Sequence, residues 1–240
     1  MKNPAIRLVA FDIDGTLIST QGAGMRAFHR AFQSVLNISV DGGVIRPDGM
    51  TDPLIVKGIL KHFGMADQWS ENTRDALFSS YLSCLEEEMS RARELKLIRV
   101  LPGVAALLEA LSKQPDFAVG LVTGNLERGA IIKLKYAGLD RYFGFGGFGS
   151  DSEDRTELTR VGLRRGAQLA GEDRVKGAFV IGDTPLDIIH GHAAGAAVIA
   201  VASAGYGIDD LQAHNPDLAV PDLTEADSMI SFMRNFPHRT

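Results

Sequence analysis

One cysteine, Cys84, is the whole thiol complement of the chain. That excludes an intramolecular disulfide and any zinc site built on paired cysteines, and it fits a reducing compartment. Also missing is any apolar run approaching the roughly 20 residues needed to span a bilayer. The N-terminal run from Leu8 to Phe11 stops at Asp12 with no small-residue cleavage site behind it, so no secretory leader is expected. There is no excess of positive charge either: 25 Lys and Arg against 30 Asp and Glu leave a net −5, the opposite of the basic face that nucleic acid requires. The sequence has no internal repeat and no low-complexity linker. These absences predict a soluble, cytoplasmic protein with neither nucleic-acid nor membrane partners.

What is present is an ordinary globular composition, 45% hydrophobic and 23% charged over 240 residues, enough for one large domain or two small ones. Apolar runs alternate with helix-period segments. Ile6 to Phe11 reads as a buried strand, and Met25, Phe28, Phe32, Val35 and Leu36 then recur at helical spacing. Asp52-Pro53 reads as an N-cap followed by proline at the first helical position, Gly64 as a helix stop and Ser70 as the cap of a helix striped by Leu77, Tyr81, Cys84, Leu85 and Met89. Residues 18–97 therefore read as purely helical. From Pro102 onward the pattern is helix, strand, helix, strand, with apolar runs at Phe117 to Val122, Ala178 to Ile181, Ala197 to Ala202 and Leu218 to Val220, and a glycine-rich strand at Phe143 to Phe148. Strands alternating with helices imply a parallel sheet, whose ligands bind beyond the C-terminal strand ends.

Chemistry-bearing residues stand at those ends. The first run leads into Asp12-Ile13-Asp14-Gly15-Thr16, and alternation along extended backbone puts Asp12 and Asp14 on one side. The run after Phe117 leads into Thr123-Gly124-Asn125, and the run after Ala178 into Gly182-Asp183-Thr184-Pro185-Leu186-Asp187. Carboxylates far apart in sequence thus share one sheet edge.

In these motifs and their order the chain resembles the haloacid dehalogenase-like superfamily, and Gly49-Met50-Thr51-Asp52-Pro53 resembles the cap of its phosphoglycolate-phosphatase-like branch. The resemblance implies an α/β fold: a Rossmann-like parallel sheet with helices on both faces (residues 1–17 and 100–240), interrupted by an all-helical cap domain (18–99). It implies a Mg²⁺-dependent phosphomonoester hydrolase acting on a small phosphorylated metabolite, phosphoglycolate among the candidates. Asp12 would be the nucleophile and Asp14 the general acid and base. Thr123 and nearby backbone N–H groups would hold the phosphoryl oxygens, with Gly15, Thr16, Gly124 and Asn125 also at the substrate. Met50, Thr51 and Asp52 would line the pocket from the cap. Asp12, Asp14 (through its carbonyl), Asp183 and Asp187 would be the metal ligands, Asp187 through water or as an orienting group. The family's basic residue would be Arg155, with Arg160 the alternative. The physics fits: phosphoryl transfer asks for positioning and charge neutralisation, and Mg²⁺ prefers hard oxygen donors.

Competing readings are carried alongside. A dehalogenase of the same family lacks the second aspartate. A phosphonatase replaces that aspartate by alanine and needs a cap lysine, for which Lys57 is placed. A sugar phosphomutase shares every core motif, and a non-catalytic binding protein on the same fold is a further alternative. Asp187 alone would also serve as a helix cap. Glycines at 22–24 and 144–149 loosely match a dinucleotide loop but read better as a hinge and a tight turn. His190 and His192 read as surface residues, Glu86-Glu87-Glu88 as a solvated helix face and Cys84 as core.

Overall fold

Period-two alternation builds the centre of the molecule. The computed structural model describes residues 5–40 and 43–237. In chain order its regular elements are β1 (Ile6–Phe11), β2 (Ile18–Ser19), α1 (Ala23–Leu36), α2 (Asp52–His62), α3 (Glu71–Glu94), β3 (Arg99–Val100), α4 (Val104–Ser112), β4 (Phe117–Thr123), α5 (Glu127–Ala137), β5 (Phe145–Phe148), α6 (Arg155–Ala170), β6 (Val175–Gly182), α7 (Pro185–Ala193), β7 (Ala197–Val201), α8 (Ile208–Gln212), β8 (Leu218–Val220) and α9 (Ala226–Asn235). No described helix is long and apolar enough to cross a membrane.

Six strands form a parallel sheet in the order β5-β4-β1-β6-β7-β8. Along β1, Val9 and Phe11 face one apolar cluster with α4, α5 and α9, while Leu8 and Ala10 face another with α6, α7 and α8. Phe179 and Ile181 of β6 divide from Val180 in the same way. Both faces are covered, as a parallel sheet requires. The chain leaves β1 toward β4 and β5, then crosses back to β6 on the other side. The switch point therefore lies between β1 and β6, and an open α/β sheet offers its ligand crevice there.

Helices α1, α2 and α3 close a separate apolar cluster around Phe28, Phe32, Ile59, Tyr81, Leu85 and Met89. Gly64, at φ +69°, ends α2 in the left-handed conformation that glycine adopts without strain, and Ser70 caps α3 by accepting from the Thr73 N–H. Four local expectations need correction. Residues 18–97 are not purely helical, because Ile18 pairs with Val100 and Ser19 with Arg99 in an antiparallel ribbon at the base of the inserted helices. Two residues per strand are too few for alternation to show. Thr51, not Asp52, is the N-cap of α2, and Asp52 begins the helix. Glu88 is buried beneath Arg26 and Arg30, unlike exposed Glu86 and Glu87, because α1 packs along that face of α3. Cys84 is only partly buried.

Of the glycines at 144–149, Gly146 and Gly147 lie within strand β5, while Gly144 precedes it and Gly149 stands in the turn that follows. At Gly147 a Cβ would overlap the Leu158 carbonyl, so the missing side chain lets α6 lie close on the sheet edge. His190 and His192 do not pair: Nδ1 of the first lies 2.8 Å from Thr156 Oγ1, and Nε2 of the second 2.8 Å from Asp217 Oδ2.

Candidate active site

Three strands deliver three functional groups to the switch point. Asp12 follows the last residue of β1, Thr123 ends β4, and Asp183 follows the last residue of β6. Asp187 comes one helical turn later, at the third position of α7. There it forms a reciprocal capping box with Thr184, which donates to it from its N–H at 2.9 Å and its hydroxyl at 2.8 Å. Carboxylate oxygens of Asp12, Asp183 and Asp187 lie within 4.8 Å of one another, and all three residues are buried.

Burial and the neighbouring Asp187 push the carboxyls of Asp12 and Asp183 above the usual carboxylate range. One buried guanidinium, Arg155, opposes them. It is ion-paired with Asp187, lies 3.6 Å from Asp12, and donates to the Gly49 carbonyl at 3.2 Å. Three buried acids against one fixed cation form a hard, oxygen-only donor set with charge left over, and a divalent cation of the Mg²⁺ type fits it. Arg155 is the basic residue at this centre. Arg160 pairs with Glu157 and the Ala193 carbonyl at the surface, so its position one turn farther along α6 turns it away.

Loop 12–16 is held against the core. Gly15, at φ +86°, leaves no room for a Cβ, which would overlap the Asp183 carboxylate. Ser203 donates to the Gly15 carbonyl at 2.6 Å. Thr16 is fully buried and spends its hydroxyl proton on Asp183 Oδ1 at 2.8 Å. It therefore orients an acid instead of lining the cavity as expected.

Asp14 is the partly exposed member of the group and faces a different partner. Lys133 Nζ lies 2.6 Å from Asp14 Oδ2 and 2.7 Å from Asn125 Oδ1. The Asn125 amide in turn donates to Asp14 at 2.9 Å and to Thr123 Oγ1 at 2.8 Å. The carboxylate of Asp14 is thus turned to Lys133 and lies outside the three-acid cluster. Lys133 is buried and is not among the residues that the sequence motifs point to. Its signal is a charge on the apolar face of α5, in register with Ala130, Leu134 and Ala137.

A cavity of about 650 Å³ joins these groups to the inserted helices, reaching Asp12, Asp14, Thr123 and Arg155 on one side and Met25, Phe28 and Tyr81 on the other. Gly15, Gly124, Asn125, Met50 and Asp52 border it as well. Thr51 does not: its hydroxyl turns away to the Glu153 carbonyl at 3.3 Å, because the N-cap position points it at the neighbouring loop. Lys57 pairs with Glu153 at 2.6 Å and sits 5.0 Å from the Trp69 ring centroid, outside the cavity lining. The glycines at 22–24 border the cavity where α1 begins.

Asp52 fastens the helical segment to the core. Its N–H donates to the Gly124 carbonyl at 2.7 Å and its carboxylate accepts from the Leu126 N–H at 2.8 Å. Burial, opposed by Lys133 and the Leu126 N–H, pushes this carboxyl up to about 6. Between the ordinary 3.8 and about 6 the folded protein holds a proton that the unfolded chain has released. The Asp52 contribution to stability therefore falls as pH rises through that window. Asp52→Asn keeps the acceptor and removes the titration. The melting temperature of the wild type relative to this variant is expected to drop between about pH 4 and pH 6.5, and a difference independent of pH would refute the assignment.

A family model described as haloacid dehalogenase-like hydrolase matches residues 6–195. Pyrophosphatase PpaX of Bacillus cereus is 25% identical over 228 residues, covering 95% of this chain and 98% of that protein. Among solved structures, a β-phosphoglucomutase from Clostridium difficile superposes with a TM-score of 0.72 at 16% identity, covering 97% and 98% of the two chains. A structure described as a predicted phosphoglycolate phosphatase from Haemophilus somnus gives 0.68 at 19% identity, covering 96% and 99%.

Proposed function

The chain belongs to the haloacid dehalogenase-like hydrolase family, and from that premise we propose that it hydrolyses the phosphate monoester of a small metabolite with Mg²⁺, through an aspartyl-phosphate on Asp12. The observation that carries this reading is the meeting of Asp12, Asp183, Asp187 and Arg155 at the sheet switch point, where Asp12, Asp183 and Arg155 border a cavity that Asp14 and Lys133 also line.

Asp12, fixed by its N–H donating to the Ile181 carbonyl at 2.9 Å, presents a carboxylate oxygen to phosphorus. Arg155 draws negative charge off the phosphoryl oxygens with a planar fork that also holds Asp187 in place. Thr123 keeps a hydroxyl proton free to donate, because its oxygen is the acceptor in both bonds from Asn125. Asp14 protonates the leaving alkoxide and then takes a proton from the water that cleaves the acyl phosphate. Lys133 and Asn125 hold its carboxylate in one orientation. Asp12, Asp183 and Asp187, with the Asp14 carbonyl, would hold Mg²⁺, which when bound supplies charge neutralisation at the phosphoryl group.

Asp14 and the placement of Lys57 both speak against the dehalogenase and phosphonatase readings. Phosphoglycolate, inorganic pyrophosphate and an aryl phosphate form the substrate panel, the second because the curated relatives are pyrophosphatases. Turnover of at least one is expected with Mg²⁺, with loss of more than about nine-tenths of it on chelation and recovery on adding Mg²⁺ back. Undiminished turnover in excess chelator would overturn the metal assignment. A sugar bisphosphate converted to its isomer without release of inorganic phosphate would favour the phosphomutase. A folded protein that binds Mg²⁺ and turns over no ester would favour a binding protein.

A further inference from the structure

Tyr81 is almost fully buried, yet it borders the cavity from the side of the inserted helices. Its ring is held from two directions. It stacks on Phe28 with centroids 3.8 Å apart and planes 6° from parallel, and its edge reaches α5 at Gly129. Neither contact uses the hydroxyl. Among the described residues only two buried side-chain polar atoms lack a hydrogen-bond partner, Arg7 Nε and Tyr81 Oη, and of these two residues only Tyr81 borders the cavity. A buried hydroxyl without a partner costs free energy that a phenylalanine would avoid. The packing asks for a ring and does not account for the oxygen.

Resting on the phosphatase reading above, we infer that Tyr81 Oη is a specificity-determining donor that hydrogen-bonds an oxygen carried by the leaving group of the phosphate ester. The site would then select oxygenated leaving groups, bearing a hydroxyl or a carboxylate, over hydrocarbon ones of the same size. The placement suits the role. Tyr81 borders the cavity from α3, a helix outside the sheet that carries the acids, and Met25, Phe28 and Ile55 add apolar wall to the same cavity. Burial, and then the negative charges of Asp52 and Asp14, push its phenol well above the ordinary range, so the group stays protonated and donates. An unmet donor in a substrate pocket discriminates because an analogue lacking the acceptor leaves it unpaired.

Tyr81→Phe removes only the oxygen. Two size-matched pairs of esters read the result: glycerol 1-phosphate against 2-methylbutyl phosphate for a hydroxyl, and phosphoglycolate against isobutyl phosphate for a carboxylate. The wild type is expected to favour the oxygenated member of at least one pair in kcat/KM by about tenfold, and Tyr81→Phe to bring that ratio close to one. The pair that responds identifies the acceptor. The free variant is expected to melt no lower than the wild type, since no bond is lost. A ratio unchanged by the substitution, or no preference in the wild type for either pair, would overturn the inference. So would a lower melting temperature with both esters of a pair slowed equally, the mark of a structural role. If the wild type turns over neither these esters nor any member of the panel above, the phosphatase reading fails separately. The same pairs are then compared by the rise in melting temperature each ester produces in the two proteins, and an equal rise for both members in both proteins overturns the Tyr81 assignment alone.

Discussion

Asp12→Asn is expected to lower kcat toward an aryl phosphate by about 10³-fold or more while leaving the protein folded, since removing an enzyme's nucleophile has effects of that order. The amide keeps the volume of the carboxylate and one oxygen but cannot attack phosphorus as an anion. Stability should not suffer greatly. Asp12 is buried beside Asp183 and Asp187, and burial and Asp187 raise its carboxyl more than Arg155 lowers it. Its charge is therefore costly to the fold, and a neutral isostere relieves repulsion. Steady-state kinetics paired with circular dichroism separate the two effects. Turnover by the variant within about tenfold of the wild type would mean that another group attacks, and the aspartyl-phosphate would have to be abandoned.

Arg155→Leu carries the largest expected loss of stability. The guanidinium is 7% exposed and stands between Asp187 and Asp12 while reaching the Gly49 carbonyl. Truncating it leaves buried carboxylates facing one another without a counter-charge, and breaking a buried ion pair from one side costs about 3–5 kcal/mol. For a chain of this length each kcal/mol is worth roughly 2–4 °C, so a fall of about 10 °C in melting temperature is expected by calorimetry. Because the same fork reaches the Gly49 carbonyl in the loop before α2, the variant also loses one tie between the inserted helices and the core. Arg155→Lys should recover part of the stability through its charge, yet not the three-way contact, since an ammonium lacks the planar fork. A melting temperature within about 2 °C of the wild type for Arg155→Leu would show that the acids are neutralised another way.

Most of this centre is legible in the amino-acid sequence. Acids placed immediately after apolar runs are read correctly because a parallel sheet places all such positions on one edge. The registers of β1 with β4 and β6 bring Asp12, Thr123 and Asp183 there. Strand β5, with its unusual run of glycines, is also legible, though the reason for the glycines is not. That reason is the closeness of α6, a contact between segments with no common local pattern.

The misreadings share one cause. Thr16 lies inside a motif of substrate-facing residues, but its hydroxyl points to Asp183, a partner 167 residues away. Arg155 and Arg160 are both candidates by spacing because distance along the chain from Asp183 does not say which face of α6 meets the core. The roles of Lys133 and Tyr81 do not show in their own helices, where a stripe of buried positions records only that a face is covered.

Local sequence by itself determined the alternation of strands and helices in the sheet domain and the presence of acids just after its strands. These depend on periodicity and on backbone chemistry within a few residues. Only the tertiary structure decided which charge neutralises which, which hydroxyl is spent and which is left without a partner. A buried polar group is defined by what lies opposite it, and here the opposite partner is brought in by a different element of the fold.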